Sequence, residues 1–143
     1  MLFRSTWKEV QSIDAPTMFA AADVLLPLLQ PRHGNALAAA LRRDLANAPP
    51  PPAVPGVTGR LLYAEATPRG WVLVGSTDAN TYDTKIAFAV DLGGNDTWRA
   101  AATRSDLDVP VNVVLDLAGD DKYLATEPFA QGCGLFEIGR AHV

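Results

Sequence analysis

A single cysteine, Cys133, and two histidines, His33 and His142, are all the thiol and imidazole that 143 residues contain. One cysteine forms no intrachain disulfide, and it leaves the redox compartment open, because a secreted chain can do without cystines. Without a Cys/His cluster there is no zinc set, and no Gly-x-x-x-x-Gly-Lys loop is present to cradle a phosphate. Nucleophilic catalysis by Ser or Cys needs a nearby base, most often His. His33 lies between Arg32 and Gly34 in what reads as a solvated turn, and Cys133, in a Gly-rich stretch, reads as a small buried residue. Neither reads as catalytic. A basic excess is missing too: the net charge is −4, which argues against nucleic acid or an anionic membrane surface as partner. Residues 1–9 hold no apolar core of a signal peptide, and no run nears the ~18 apolar residues of a membrane span. Membrane insertion is not expected.

What is present divides by composition. Residues 1–48 read as a helical hairpin segment. Asp14 can cap a first helix with Pro16 in its first turn. Phe19, Val24, Leu25, Leu28 and Leu29 follow near helical spacing, Pro27 kinks or shortens the helix, and Pro31 closes it. A second helix from Gly34-Asn35 carries Leu37, Leu41 and Leu45 on one face, with Arg42, Arg43 and Asp44 outward. Residues 49–56, with four consecutive prolines at 49–52, read as a linker, since such a run joins neither helix nor sheet. From 57 to 136 the chain turns to short β-branched or aromatic runs between Gly, Asn, Asp and Pro, at Val57–Tyr63, Trp71–Val74, Ile86–Val90 and Val111–Leu117. That is an all-β pattern.

Two segments of this region align without a gap. Phe88-Ala89-Val90-Asp91-Leu92-Gly93-Gly94-Asn95-Asp96-Thr97-Trp98 matches Val113-Val114-Leu115-Asp116-Leu117-Ala118-Gly119-Asp120-Asp121-Lys122-Tyr123 at an offset of 25 residues. A weaker echo is Asp78-Ala79-Asn80-Thr81-Tyr82. A period in the twenties predicts stacked units, each burying its apolar face on the next. Gly94 and Gly119 suit a bend that needs positive φ, and Asx side chains can cap the backbone there. The expectation is a mainly β chain with an N-terminal helical segment, opening a right-handed parallel β-solenoid. The alternative is an antiparallel β-sandwich, with a hairpin around Pro68-Arg69-Gly70. Stacking at ~4.8 Å would bring Asp91 close to Asp116, and Asp96 close to Asp121. Such like charges repel by ~1 kcal/mol even in water, so backbone donors or a cation must offset them.

These residues resemble Gly/Asp-rich bacterial repeat proteins of unassigned function, built from Asp-Leu-Gly-Gly-Asp-Asp-x-Tyr units alternating with Gln-Gly-x-Gly segments. Asp91–Trp98 and Asp116–Tyr123 match the first element, and Gln131-Gly132-Cys133-Gly134-Leu135-Phe136 begins the second. The resemblance covers 57–136 and implies a β-solenoid, an exported or cell-surface location and no known catalytic residues. Residues 137–143 resemble a translated sequencing adapter, which implies a non-native tail and a natural sequence running on past about Phe136. The turns also resemble, in part, the calcium-binding nonapeptide repeats of secreted toxins and proteases. The candidate calcium ligands are Asp91, Asn95, Asp96, Asp116, Asp120 and Asp121, although calcium takes ~6–8 oxygens and one turn supplies fewer.

The expected function is non-catalytic: a structural or surface-interaction repeat protein, with calcium at the Asp-rich turns and a polysaccharide or protein surface as partner. The competing expectation is a carbohydrate-binding or carbohydrate-cleaving β-helix protein. Paired carboxylates cleave sugar chains, and Glu65, Glu127 and the repeat aspartates supply acids. Trp71, Trp98 and Tyr123 would offer stacking faces. Yet the repeat acids sit where a scaffold would place them, which favours the non-catalytic role.

Overall fold

The computed structural model describes residues 30–104 and 112–126, together with Ala20, Asp23 and Pro27. It divides into two compact units, Met1–Leu37 and Ala38–Val143, with the division inside helix α1 (Pro31–Leu45). Most of the expected first helix and the adapter-like tail lie outside the described residues. Pro31, expected to end a helix, begins one. The Gln30 carbonyl accepts from the backbone N–H of His33 (2.9 Å) and Gly34 (3.0 Å), and a proline at the first helical position gives up no needed donor. Arg42 and Arg43 lie in the last turn, where positive charge complements the helix dipole. Arg42 also donates to the Leu92 carbonyl at 3.0 Å. No helix among the described residues is long and apolar enough to cross a membrane.

The second unit is β-rich. Its strands are β1 (Val57–Thr58), β2 (Leu61–Thr67), β3 (Gly70–Gly75), β4 (Thr81–Tyr82), β5 (Ile86–Asp91), β6 (Thr97–Arg99), β7 (Val113–Asp116) and β8 (Lys122–Leu124). A one-turn helix α2 (Ala100–Thr103) follows β6. The strands form two four-stranded sheets, ordered β1-β4-β6-β8 and β2-β3-β5-β7.

Neither expected architecture survives. A right-handed parallel β-solenoid would carry parallel pairing throughout, but each sheet is mixed. Pairs β1–β4 and β2–β3 are antiparallel, while β3–β5, β4–β6, β5–β7 and β6–β8 are parallel. The structure is two mixed four-stranded sheets packed together. The parallel pairs equally exclude the antiparallel β-sandwich, although its hairpin is present, with Thr67 opposite Gly70 across Pro68-Arg69. The reason is local. The segment from 57 to 75 carries no full repeat unit, so its hairpin and its short first strand pair antiparallel where a repeat would have stacked.

Between the sheets lies one apolar cluster of Val54, Leu73, Tyr82, Ile86, Ala89, Trp98 and Ala102. Leu73, Ile86, Trp98 and Ala102 are fully enclosed, and burial of this kind stabilises by ~25 cal/mol per Å2 of apolar surface. Asn112 ties α2 to the longer-stranded sheet, its Nδ2 donating to the carbonyls of Ile86 (2.7 Å) and Ala102 (2.9 Å).

Candidate metal centre

Three bends carry the chain from one sheet to the other, β3 to β4, β5 to β6 and β7 to β8. They lie one against the next, joined by backbone bonds from Thr97 N–H to Asn80 O (2.9 Å), Gly94 N–H to Ala118 O (3.0 Å) and Lys122 N–H to Asp96 O (2.8 Å). Gly94 and Gly119 hold φ of 135° and 143°, a region that side chains strain to reach. A Cβ on Gly119 would collide with the Gly94 carbonyl oxygen. The repeat's glycines are therefore required by the close approach of successive bends.

Each bend places three residues at a constant spacing: position n, then n+5 and n+7. Gly75, Asp91 and Asp116 are register partners along β3, β5 and β7. Tyr82, Trp98 and Tyr123 are partners along β4, β6 and β8. Asn80, Asp96 and Asp121 form the column between them. In that column each side chain caps the preceding bend: Asn80 N–H donates to Asp96 Oδ1 (2.6 Å), and Asp96 N–H donates to Asp121 Oδ1 (2.8 Å). The rings stack, with centroids 4.0 Å apart for Tyr82 and Trp98 and 6.3 Å apart for Trp98 and Tyr123.

The aspartate and aromatic columns are cross-linked. Asp91 Oδ2 accepts from the Tyr82 hydroxyl and from Asn80 Nδ2 (3.3 Å), and Asp91 Oδ1 accepts from Gly93 N–H (2.8 Å). Asp116 Oδ2 accepts from Trp98 Nε1 (2.9 Å) and the Tyr123 hydroxyl (3.1 Å). Gly75 stands where the first unit would have its aspartate. A Cβ there would overlap Asp91 Oδ2 and the Tyr82 hydroxyl, so the glycine makes room for that bond.

Asp91, Asp96 and Asp116 thus come together, with one carboxylate oxygen of each lying within 4.8 Å of the others. Asp91 and Asp96 are 0% and 1% exposed. Two oxygens in the cluster, Asp96 Oδ2 and Asp116 Oδ1, are buried with no hydrogen-bond partner. Three charges at this range repel by roughly 3 kcal/mol per pair at an effective dielectric of about 20. Burial pushes the Asp96 carboxyl up to about 7 and the Asp116 carboxyl up to about 6. Asp91 is raised as well, chiefly by burial, against the pull of its Tyr82 and Gly93 donors. An electron-poor group that fills this space, a proton or a cation, relieves all three. The set is all-oxygen and anionic, which suits a hard metal ion. The triad is able to hold one.

The other expected ligands flank the triad. Asn95 and Asp120 are exposed and serve the bends, Asn95 Oδ1 accepting from Asp120 N–H at 3.1 Å. Asp121 caps Asp96 and is not part of the triad. Trp98 is fully buried between two rings and presents no face to a ligand, whereas Tyr123 is 43% exposed. Asn80 and Tyr82 belong to the weaker echo of the repeat, which the 25-residue offset does not align because the first bend precedes the second by 16 residues. The constant n, n+5, n+7 spacing was the signal that finds them. No family model, no curated protein and no solved structure matches this chain.

Proposed function

We propose that this chain is a non-catalytic structural or surface-interaction protein whose stacked bends are stabilised by a divalent cation, calcium, at Asp91, Asp96 and Asp116. One observation carries this reading: the triad buries two carboxylate oxygens, on Asp96 and Asp116, that no protein group satisfies. Leaving a buried acceptor unpaired costs about 1–3 kcal/mol, and more when it is charged. An ion that binds the folded chain and not the unfolded one recovers that cost as stability. The chemistry at the described residues also supports a non-catalytic role. Asp91 and Asp116 accept from the ring donors, and Asp96 and Asp121 each cap a backbone N–H.

Calorimetric titration of cation-stripped protein with calcium tests the proposal, alongside melting with and without the ion. Heat of binding and a rise in melting temperature are expected. Absence of both ends the calcium reading.

A polysaccharide partner is favoured by a different observation. A groove of about 770 Å3 is lined by Tyr123, Arg99, Arg104, Asp83 and Thr126 among others, and an exposed ring beside guanidinium groups suits an acidic sugar chain. On this reading, affinity for an acidic polysaccharide falls on Tyr123→Ala. Release of reducing ends from that polysaccharide would instead establish cleavage.

A further inference from the structure

Asp96 and Asp116 each have one oxygen engaged and one bare, whereas both oxygens of Asp91 accept, Oδ1 from the Gly93 N–H (2.8 Å) and Oδ2 from Tyr82 and Asn80. For two of the three carboxylates a donor is a ring of the aromatic column: Tyr82 on Asp91 Oδ2, and Trp98 Nε1 on Asp116 Oδ2 at 2.9 Å. The third, Asp96, has Oδ1 held by the Asn80 N–H at 2.6 Å. The unpartnered atoms, Asp96 Oδ2 and Asp116 Oδ1, are the oxygens these donors leave over. Asp96 is 1% exposed, so its bare oxygen is directed into the protein and away from solvent. A carboxylate rotates about its own axis unless one oxygen is fixed. Trp98, with the Tyr123 hydroxyl at 3.1 Å, fixes Asp116 Oδ2 and so sets where Oδ1 lies, while Tyr82 joins Asn80 and the Gly93 N–H in fixing the plane of Asp91.

We infer, on the cation reading above, that Tyr82 and Trp98 are positioning residues for the ion, holding Asp91 and Asp116 so that each carboxylate presents one oxygen to it. Neither ring touches the ion. Each acts through the acid to which it donates, as outer-shell partners of metal ligands commonly do, and their loss typically costs about 10–100-fold in affinity. The arrangement also links the ion to the stack of bends. Tyr82 belongs to the first bend and binds an acid of the second, and Trp98 belongs to the second and binds an acid of the third.

The test uses the full chain stripped of cations and titrated with calcium by calorimetry, as wild type, Tyr82→Phe and Trp98→Phe. At Tyr82, phenylalanine removes only the hydroxyl donor; at the fully buried Trp98 it keeps a ring in the stack but also removes part of the indole's volume, so Tyr82→Phe is the cleaner variant. The expected result is binding to the wild type and about ten-fold or greater weakening in each variant, with circular dichroism unchanged. In parallel, the Trp98 indole N–H resonance, identified by its loss in Trp98→Phe, should shift as calcium is added to wild type. No binding to the wild type would remove the cation reading itself. Wild-type binding with equal affinity in both variants would remove only the positioning role, whatever their cation-free melting temperatures. Should either variant fail to fold, the wild-type indole resonance decides: a resonance unmoved at saturating calcium overturns the inference.

Discussion

The indole Nε1–H of Trp98 donates to Oδ2 of Asp116 at 2.9 Å, so the aromatic of one repeat unit is bonded to the acid of the next. Tyr82 repeats the relation one bend earlier, donating to Asp91. A stack of like acids would push its units apart. Here each acid is also the acceptor that joins its unit to the one before, and the two oxygens left over define the candidate ion site.

Stability of the cation-free protein should fall as pH rises. Asp96 and Asp116 have folded values of about 7 and about 6, above the ordinary 3.8. Between these limits the folded state binds more protons than the unfolded state, so the stabilisation is complete below about pH 4 and is lost as pH climbs through 6 and 7. Melting in the presence of a chelator should be about 5 °C or more higher at pH 5 than at pH 8. Saturating calcium should flatten that fall. A chelated protein that melts higher at pH 8 than at pH 5 contradicts the burial of these acids.

Asp96→Asn should separate the cost of the charge from the use of the site. The amide oxygen can still accept from Asn80 N–H, and the amide nitrogen then stands where the unpartnered Oδ2 was, facing carboxylate oxygens. One repulsive charge becomes a donor, and hydrogen bonds to charged groups contribute about 1.5–3 kcal/mol. Chemical denaturation at pH 8 without cations should show a gain in stability of about 1–3 kcal/mol, with the calcium response gone. A destabilised variant that still responds to calcium would place the ion elsewhere.

Gly119→Ala should destabilise by about 1–3 kcal/mol or more, because alanine meets both a φ of 143° and the Gly94 carbonyl oxygen. Urea denaturation measures the change. A loss below about 0.5 kcal/mol would mean that the bends do not approach as closely as described.

Neighbouring acids in one turn should behave differently. Asp121→Ala removes the cap on Asp96 N–H at 2.8 Å and should cost about 1 kcal/mol or more. Asp120→Ala removes an exposed carboxylate, while its backbone N–H still donates to Asn95, and should fall within about 0.5 kcal/mol of wild type. Equal effects in the same denaturation series would argue that the two acids are both surface charges.

Much of the bend chemistry was legible because it repeats. Asp91 opposite Asp116 and Trp98 opposite Tyr123 follow from a gap-free offset of 25, and the parallel pairing has those partners. The strands at Trp71–Val74 and Ile86–Val90 were equally visible as short apolar runs, and lie within β3 and β5. The sheet architecture was not. The repeat implied continuation in both directions, while the hairpin of β2 and β3 turns the first edge antiparallel. The second helix was expected from Gly34-Asn35 and begins at Pro31 for a related reason: proline ends a helix from inside but is welcome at its first turn, and only the bonds to Gln30 decide which applies.

The sequence by itself determined the units, their spacing and the residue types at each bend, since these depend on φ, on hydrogen bonding within a few residues and on apolar periodicity. Tertiary structure alone decided which acids are buried, which oxygens are left without donors and that Trp98 is enclosed while Tyr123 is open. Those properties arise from what lies across the stack, from the rings of one bend and the carboxylates of the next. The repeat offset records which positions pair along the stack, but not which of their atoms the fold leaves buried and without a donor.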